Sequence, residues 1–331
     1  MIYIHGIGHY HPENIIDNHF LQELDIGTTS DWILERVGIH SRRTVLPLDY
    51  IRATKNLSPQ QAQEASLYSN AQTAAKAAKM ALQRAGLDKK DIGMVISGSC
   101  TPQHSCPAEA CSIAGELEIE APSFDINSAC SSLAAQIHSI AMMRSEMLPD
   151  YILLLQPENN TRSIDYSDRN SAVLWGDCST ALIISTKVPS QWKINYSCLY
   201  SSPQGWDKVT FPNYGHFRQE GRTVQTFAIK RSVALIREMR EKLSGEKALV
   251  TKFIGHQANL MMLASVCNMT EIDHSNHYFN VDQFGNCGAA GAASVLSQHW
   301  DSLVSDTPII LAVVGAGLTW GGILIEKQDR I

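Results

Sequence analysis

The stretch Phe124-Asp125-Ile126-Asn127-Ser128-Ala129-Cys130-Ser131-Ser132-Leu133 runs a short apolar strand straight into a helix. Residues 123–126 read as strand, and the apolar periodicity that follows reads as a helix through Met143. Cys130 falls at the junction. A thiol at a helix N-terminus feels the positive end of the macrodipole and free backbone N–H groups, which favour the nucleophilic thiolate. A buried packing cysteine is the competing reading, but the small polar neighbours Ser128, Ser131 and Ser132 suit a packing site poorly.

Outward from this junction, strands alternate with amphipathic helices. Residues 3–7, 94–99, 151–155 and 181–185 read as strands, and residues 64–85 as a helix stopped by Gly86. From Lys187-Val188-Pro189 the theme repeats. A strand near Ile194, a helix over 224–243 and a strand ending at Gly255-His256 are followed by helices over 259–267 and 288–299 and strands over 309–314 and 322–326. The pattern predicts an α/β protein of two halves, 1–187 and 188–331, with no low-complexity linker between them.

Composition narrows the function. With 331 residues and 44% hydrophobic content the chain can bury a large core. No apolar run reaches the roughly 18 residues of a membrane span, and Met1-Ile2-Tyr3-Ile4-His5-Gly6 has no basic segment ahead of an apolar one. A soluble, cytoplasmic protein is expected. A net charge of −6 gives no general affinity for nucleic acid or anionic membranes, so an anionic ligand must meet a local basic patch. The eight cysteines form no Cys-x-x-Cys pair, so neither a metal site nor a redox motif is expected.

Three further segments carry chemistry. His256 ends the apolar strand Phe253-Ile254-Gly255, where α/β proteins open their ligand crevices, and a neutral imidazole there can donate to a developing oxyanion. Asn286, in Phe284-Gly285-Asn286-Cys287-Gly288-Ala289-Ala290-Gly291, is by itself more often a turn residue, yet its amide can also donate to negative charge. The loop Gly315-Ala316-Gly317-Leu318-Thr319-Trp320-Gly321-Gly322 can bring backbone N–H groups against a ligand oxygen. Its spacing is not that of a dinucleotide fingerprint.

Taken together the four segments resemble the β-ketoacyl-acyl-carrier-protein synthase III family of the thiolase superfamily. The likeness runs from Thr29-Ser30-Asp31-Trp32-Ile33-Leu34-Glu35-Arg36-Val37-Gly38-Ile39 to Gly317-Leu318-Thr319-Trp320-Gly321. It implies a five-layered αβαβα thiolase-like fold, a homodimer, and a Cys130, His256 and Asn286 triad. It also implies a ping-pong reaction without metal or other cofactor: acyl-CoA acylates Cys130, and a malonyl thioester, on carrier protein or coenzyme A, then condenses with loss of carbon dioxide. The N–H groups of Cys130 and Ala316 would hold the oxyanion, and His256 and Asn286 the enolate. Trp32, Arg36 and Arg169 would take the nucleotide end of coenzyme A, and Asn259 its pantetheine arm. Taken alone, Arg36 reads as a solvated surface charge.

Departures from the family pattern bear on substrate. Cys106 stands where acetyl-primed members carry a bulky Phe, ahead of the helix that reaches across the dimer interface, so a primer longer than acetyl is expected. The carrier-docking run Gln257-Ala258-Asn259-Leu260-Met261 is followed by no basic residue, which weakens the usual contact with an acidic carrier unless Lys230 and Arg231 substitute. Cys178, in Gly176-Asp177-Cys178-Ser179-Thr180, reads as structural. Three other readings stay open: a transferase of the same fold passing the acyl group to an alcohol or amine, a specialised secondary-metabolite ketosynthase that uses a different carrier or coenzyme A for both substrates, and a non-catalytic partner of an active synthase. A glutamate-dependent thioester condensation is disfavoured, because no Glu adjoins Cys130 in the sequence.

Overall fold

A computed structural model describes residues 1–248, 250–303 and 307–328. Nine strands form one sheet: β1 (Ile2–Tyr10), β2 (Ile92–Ser97), β3 (Ser123–Asp125), β4 (Tyr151–Glu158), β5 (Cys178–Ser185), β6 (Trp192–Ser201), β7 (Lys252–Gly255), β8 (Ile309–Gly315) and β9 (Thr319–Lys327). Their order is β7-β8-β9-β6-β1-β5-β4-β2-β3.

That order is one pattern written twice. Outward from β1, the pairings β1–β5 and β5–β4 are antiparallel, and β4–β2 and β2–β3 are parallel. Outward from β6, β6–β9 and β9–β8 are antiparallel and β8–β7 is parallel. The fifth place is taken by an isolated parallel bridge between Phe253 and His277. The two sets join edge to edge where Ile2, Tyr3 and Ile4 of β1 face Ile194, Lys193 and Trp192 of β6.

Helices cover and separate the sets. Of the main helices, α1 is Ser30–Val37, α2 Asn70–Ala85, α3 Glu109–Leu117, α4 Ser132–Met142, α5 Gly221–Arg240, α6 Leu260–Thr270 and α7 Ala290–His299. Helix α2 packs on β1, β5 and β4, and α3 on β2 and β3; on the other side α5 packs on β8 and β9, with α6 against it. Between the sets, α4 touches β4 of the first and β6 and β9 of the second, while α7 touches β1 and β5 as well as β7. Helix, sheet, helix, sheet, helix is the five-layered thiolase-like arrangement expected. The central layer is dry, with Ile137 on α4, Val295 on α7, and Ile96, Ile152, Ile254 and Ile309 from the strands all fully buried.

Boundaries shift where caps decide them. The helix expected from residue 64 begins instead at Asn70. Ser69 Oγ accepts from the N–H of Gln72 while Gln72 Oε1 accepts from the N–H of Ser69, a capping box that restarts the chain after a separate short helix, Pro59–Ala65. Among the described residues no helix is long and apolar enough to cross a membrane.

Candidate active site

The turn after β3 sets the nucleophile. Ala129 adopts φ +48°, a left-handed conformation that turns the chain sharply before α4. The serines that suit packing poorly are the scaffold of this turn. Ser131 Oγ donates to the carbonyl of Ser128 at 2.7 Å, Ser132 Oγ donates to that of Ala129 at 2.7 Å, and Ser132 Oγ also accepts from the N–H of Ser128 at 2.9 Å. The hydroxyl of Thr319 meets Ser131 Oγ at 2.6 Å and donates to the Ala316 carbonyl at 3.0 Å, which ties the glycine-rich loop to the turn. Gly315 permits that approach: a Cβ there would lie 2.9 Å from Ser128 O and Ser131 N.

Cys130 is 7% exposed and lines a cavity of about 840 Å³. Its thiol is held well below the ordinary range, first by a hydrogen bond from Cys100 and then by His256, against the opposing effect of burial. Cys100 is raised in exchange, so the pair holds its proton on Cys100. The sequence gives no sign of this partner, which arrives on the segment after β2 with its Sγ 3.5 Å from that of Cys130.

His256 follows β7, is nearly buried, and is fixed by its N–H to the Ala312 carbonyl at 2.9 Å. Its Nδ1 is buried without a hydrogen-bond partner, and the residue lines the same cavity as Cys130. Asn286 is anchored three ways: its N–H donates to Leu174 O at 2.8 Å, its carbonyl accepts from Gly176 at 3.0 Å, and its Oδ1 accepts from Gly288 N–H at 3.0 Å. With Oδ1 engaged, the amide NH₂ is the group left to donate into the cavity. Gly288, at φ +55°, is needed here twice over, since a Cβ would stand 2.8 Å from the Glu158 carboxyl.

Glu158 corrects one expectation, for a carboxyl does sit close to the nucleophile. Fully buried at the end of β4, it accepts from the N–H of Cys100 at 3.0 and 3.1 Å and from that of Ala289 at 3.1 Å. Burial, and then the charge on Cys130, pushes its pKa up to about 8. It does not line the cavity, so it braces the Cys100 and Asn286 segments from behind.

At the cavity mouth Trp32, on the helix capped by Thr29, lies 5.6 Å from the guanidinium of Arg36 and 5.0 Å from that of Arg169. Arg169 also donates to the Gly27 carbonyl at 2.9 Å. Asn259 caps α6 through Met262 N–H and lines the same cavity, as do Ala316, Arg218 and Arg222. Two expected residues lie elsewhere. Cys106 is exposed ahead of α3, outside this cavity. Gln257 cannot take part in surface docking, because its side chain is fully buried and bonded to Gly255 O, Asn280 N and Val281 N. Met261 is exposed, and Arg231 is stacked on Trp320 at 4.3 Å. Among the described residues no group of three or more His, Cys, Asp or Glu side chains is placed to hold a metal ion.

Known proteins share this frame. Residues 124–203 match the model of 3-oxoacyl-[acyl-carrier-protein] synthase III, and residues 241–327 match the model of its C-terminal part. The β-ketoacyl-[acyl-carrier-protein] synthase III of Syntrophomonas wolfei is 30% identical, covering 98% of this chain and 97% of its own. That of Coxiella burnetii is 28% identical with 98% of each covered. The crystal structure of the Aquifex aeolicus synthase III superposes with a TM-score of 0.85 at 26% identity, covering 98% of this chain and 100% of the other. An acid thiol at a strand–helix turn, a histidine at a second strand end, an asparagine in the turn before α7 and a full-length match in sequence and shape make this chain a member of the 3-oxoacyl-[acyl-carrier-protein] synthase III family.

Proposed function

We propose that this chain joins an acyl group held on Cys130 to a malonyl thioester by decarboxylative condensation. The observation that supports this most is the shared lining of one cavity: Cys130, His256, Asn286 and Ala316 on its inner wall, with Trp32, Arg36, Arg169 and Asn259 toward its mouth. Acyl-CoA enters with its nucleotide end at Trp32 and the two arginines. The Cys130 thiolate attacks the thioester carbonyl, the backbone N–H groups of Cys130 and Ala316 hold the oxyanion, and coenzyme A leaves with a proton. A malonyl thioester follows. Loss of carbon dioxide creates the carbanion directly, so no group has to remove a carbon-bound proton; His256 and the Asn286 amide stabilise the enolate, which attacks acyl-Cys130 and releases the β-ketoacyl thioester.

The same reading extends to finer points. Two chains act as a homodimer in the cytoplasm, each built of halves 1–187 and 188–331. Cys106 would enter the partner's acyl pocket, and the small thiol admits primers longer than acetyl. A carrier protein would dock over Ala258, Asn259, Leu260 and Met261, with Lys230 nearby.

Intact-mass spectrometry tests this: purified protein is given a ladder of acyl-CoAs beside a Cys130→Ala control, then malonyl-CoA or malonyl carrier protein. Acylation of Cys130 followed by release of a ketoacyl product and carbon dioxide is expected. Acylation that malonyl thioesters leave untouched would replace condensation with simple transfer, and strict preference for acetyl-CoA would overturn the longer primer.

A further inference from the structure

Cys100 exchanges no bond with substrate in the reaction just described, yet it is held as firmly as the groups that do. Both oxygens of Glu158 accept from its N–H, and the same carboxyl grips Ala289. Its thiol meets that of Cys130 at 3.5 Å, sulfur against sulfur. A disulfide needs the two atoms only about 1.5 Å closer. Cys130 lines the cavity, whereas Cys100, itself half-buried, is not part of its lining.

We propose that Cys100 and Cys130 are a modification site, closing to a reversible disulfide when a small hydroperoxide enters the cavity. The Cys130 thiolate attacks the outer oxygen of the hydroperoxide; the O–O bond breaks and an alcohol, or water from hydrogen peroxide itself, leaves with a proton. Cys130 is then a sulfenic acid. The Cys100 sulfur attacks it, the S–S bond forms, the S–O bond breaks, and water leaves with the Cys100 proton. Two thiols lose two hydrogens and two electrons, and the hydroperoxide is reduced by the same two electrons. The lowered pKa of Cys130 supports the first step, because the thiolate is the attacking form. Cys100 thereby stops Cys130 short of the sulfinic acid, which a dithiol cannot reduce. Blocking of catalysis rests on the acyl-cysteine reading; the bond itself does not.

The test is to titrate reduced protein with hydrogen peroxide, alkylate free thiols, and map non-reduced peptides by mass. A loss of 2 Da is expected, with one linked peptide pair containing Cys100 and Cys130, loss of acylation by acyl-CoA, and recovery of both with dithiothreitol. In Cys100→Ser the link disappears, Cys130 gains about 32 Da, and dithiothreitol no longer restores acylation. Wild-type protein that gains this mass on Cys130 while Cys100 remains alkylatable would overturn the proposal, as would a link joining Cys178 to Cys287 instead. If the Cys100–Cys130 link forms but reduced protein never acylates, the acyl-cysteine reading fails and the disulfide stands.

Discussion

Two pairs of cysteines meet in this molecule, and they differ in what surrounds them rather than in acidity. Cys100 and Cys130 meet at the cavity wall, with His256 beside Cys130. Cys178 and Cys287 meet beneath the Asn286 turn, with His11 Nε2 3.7 Å from Cys178 Sγ. In each pair one thiol is depressed and the other raised. For Cys178 burial pushes upward, and Cys287 and His11 more than offset it. Yet Cys178 is fully buried and Cys287 nearly so, and neither lines the cavity. A thiol of lowered pKa with a histidine neighbour is therefore common to both; a route for a thioester and donors for its oxyanion belong to one. Access and preorganised donors, more than acidity, separate a nucleophile from a packed thiol.

The sharpest way to break this contrast is to truncate the thiols. Cys130→Ala should lower acylation by acyl-CoA at least about 10³-fold, read by intact mass, while Cys178→Ala should keep it within a few-fold. Loss of acylation in both variants would mean that acidity alone had been the wrong criterion to discount. The histidines give the next largest effect. His256→Ala should cut condensation by roughly 10²–10³-fold through the lost enolate donor, measured as carbon dioxide release, and His11→Ala should leave it near wild type because His11 stacks on Phe284, away from the cavity.

How much of the contrast was legible in the sequence depends on chain distance. Cys130 could be read from its own neighbours, since a strand that breaks into a helix with small residues around it is a local pattern. His256 and Asn286 needed the family likeness to be joined to it, because only the sheet order brings the ends of β3 and β7 and the turn before α7 together. Cys100 and Glu158 could not be read at all. Cys100 lies 30 residues before Cys130 on a segment without motif, and Glu158 ends a strand whose apolar run hides a carboxyl held mainly by backbone N–H groups from two distant loops, with the Ser99 hydroxyl beside them. The repeated strand pattern is a signal that could have helped. The β2 segment of the first half occupies the place of the β7 segment in the second, so the segment bearing Cys100 stands in for the one bearing His256, and both deliver a side chain to the nucleophile.

A smaller effect separates the pairs by pH. Iodoacetamide should modify Cys130 first in native protein, at a rate that has already levelled off by neutral pH, since the thiolate held by Cys100 and His256 persists below the ordinary thiol range. Cys100→Ala removes the largest of those supports, so the midpoint moves upward and the rate at pH 6 should fall roughly three- to tenfold. Cys178 should resist alkylation at every pH until denaturant opens the fold. An unchanged Cys130 profile in Cys100→Ala would show that the neighbouring thiol does not hold its proton.

Stability should reverse the order of importance. Cys178 and Cys287 belong to a closed apolar cluster with Ala290 and Phe284, where truncation leaves a space that the surrounding strand and helix cannot fill. Cys178→Ala should therefore cost about 1–2 kcal/mol in denaturant unfolding. Cys130→Ala opens onto an existing cavity, and it removes a charged sulfur that the fold holds against desolvation beside another thiol and a buried carboxyl. Its unfolding free energy should stay level or rise, because a site built to keep a reactive group ready is a place where the sequence gives up stability for function. A loss at Cys130 as large as that at Cys178 would mean that the nucleophile is packed like any other core thiol, and the distinction between the two pairs would then rest on access alone.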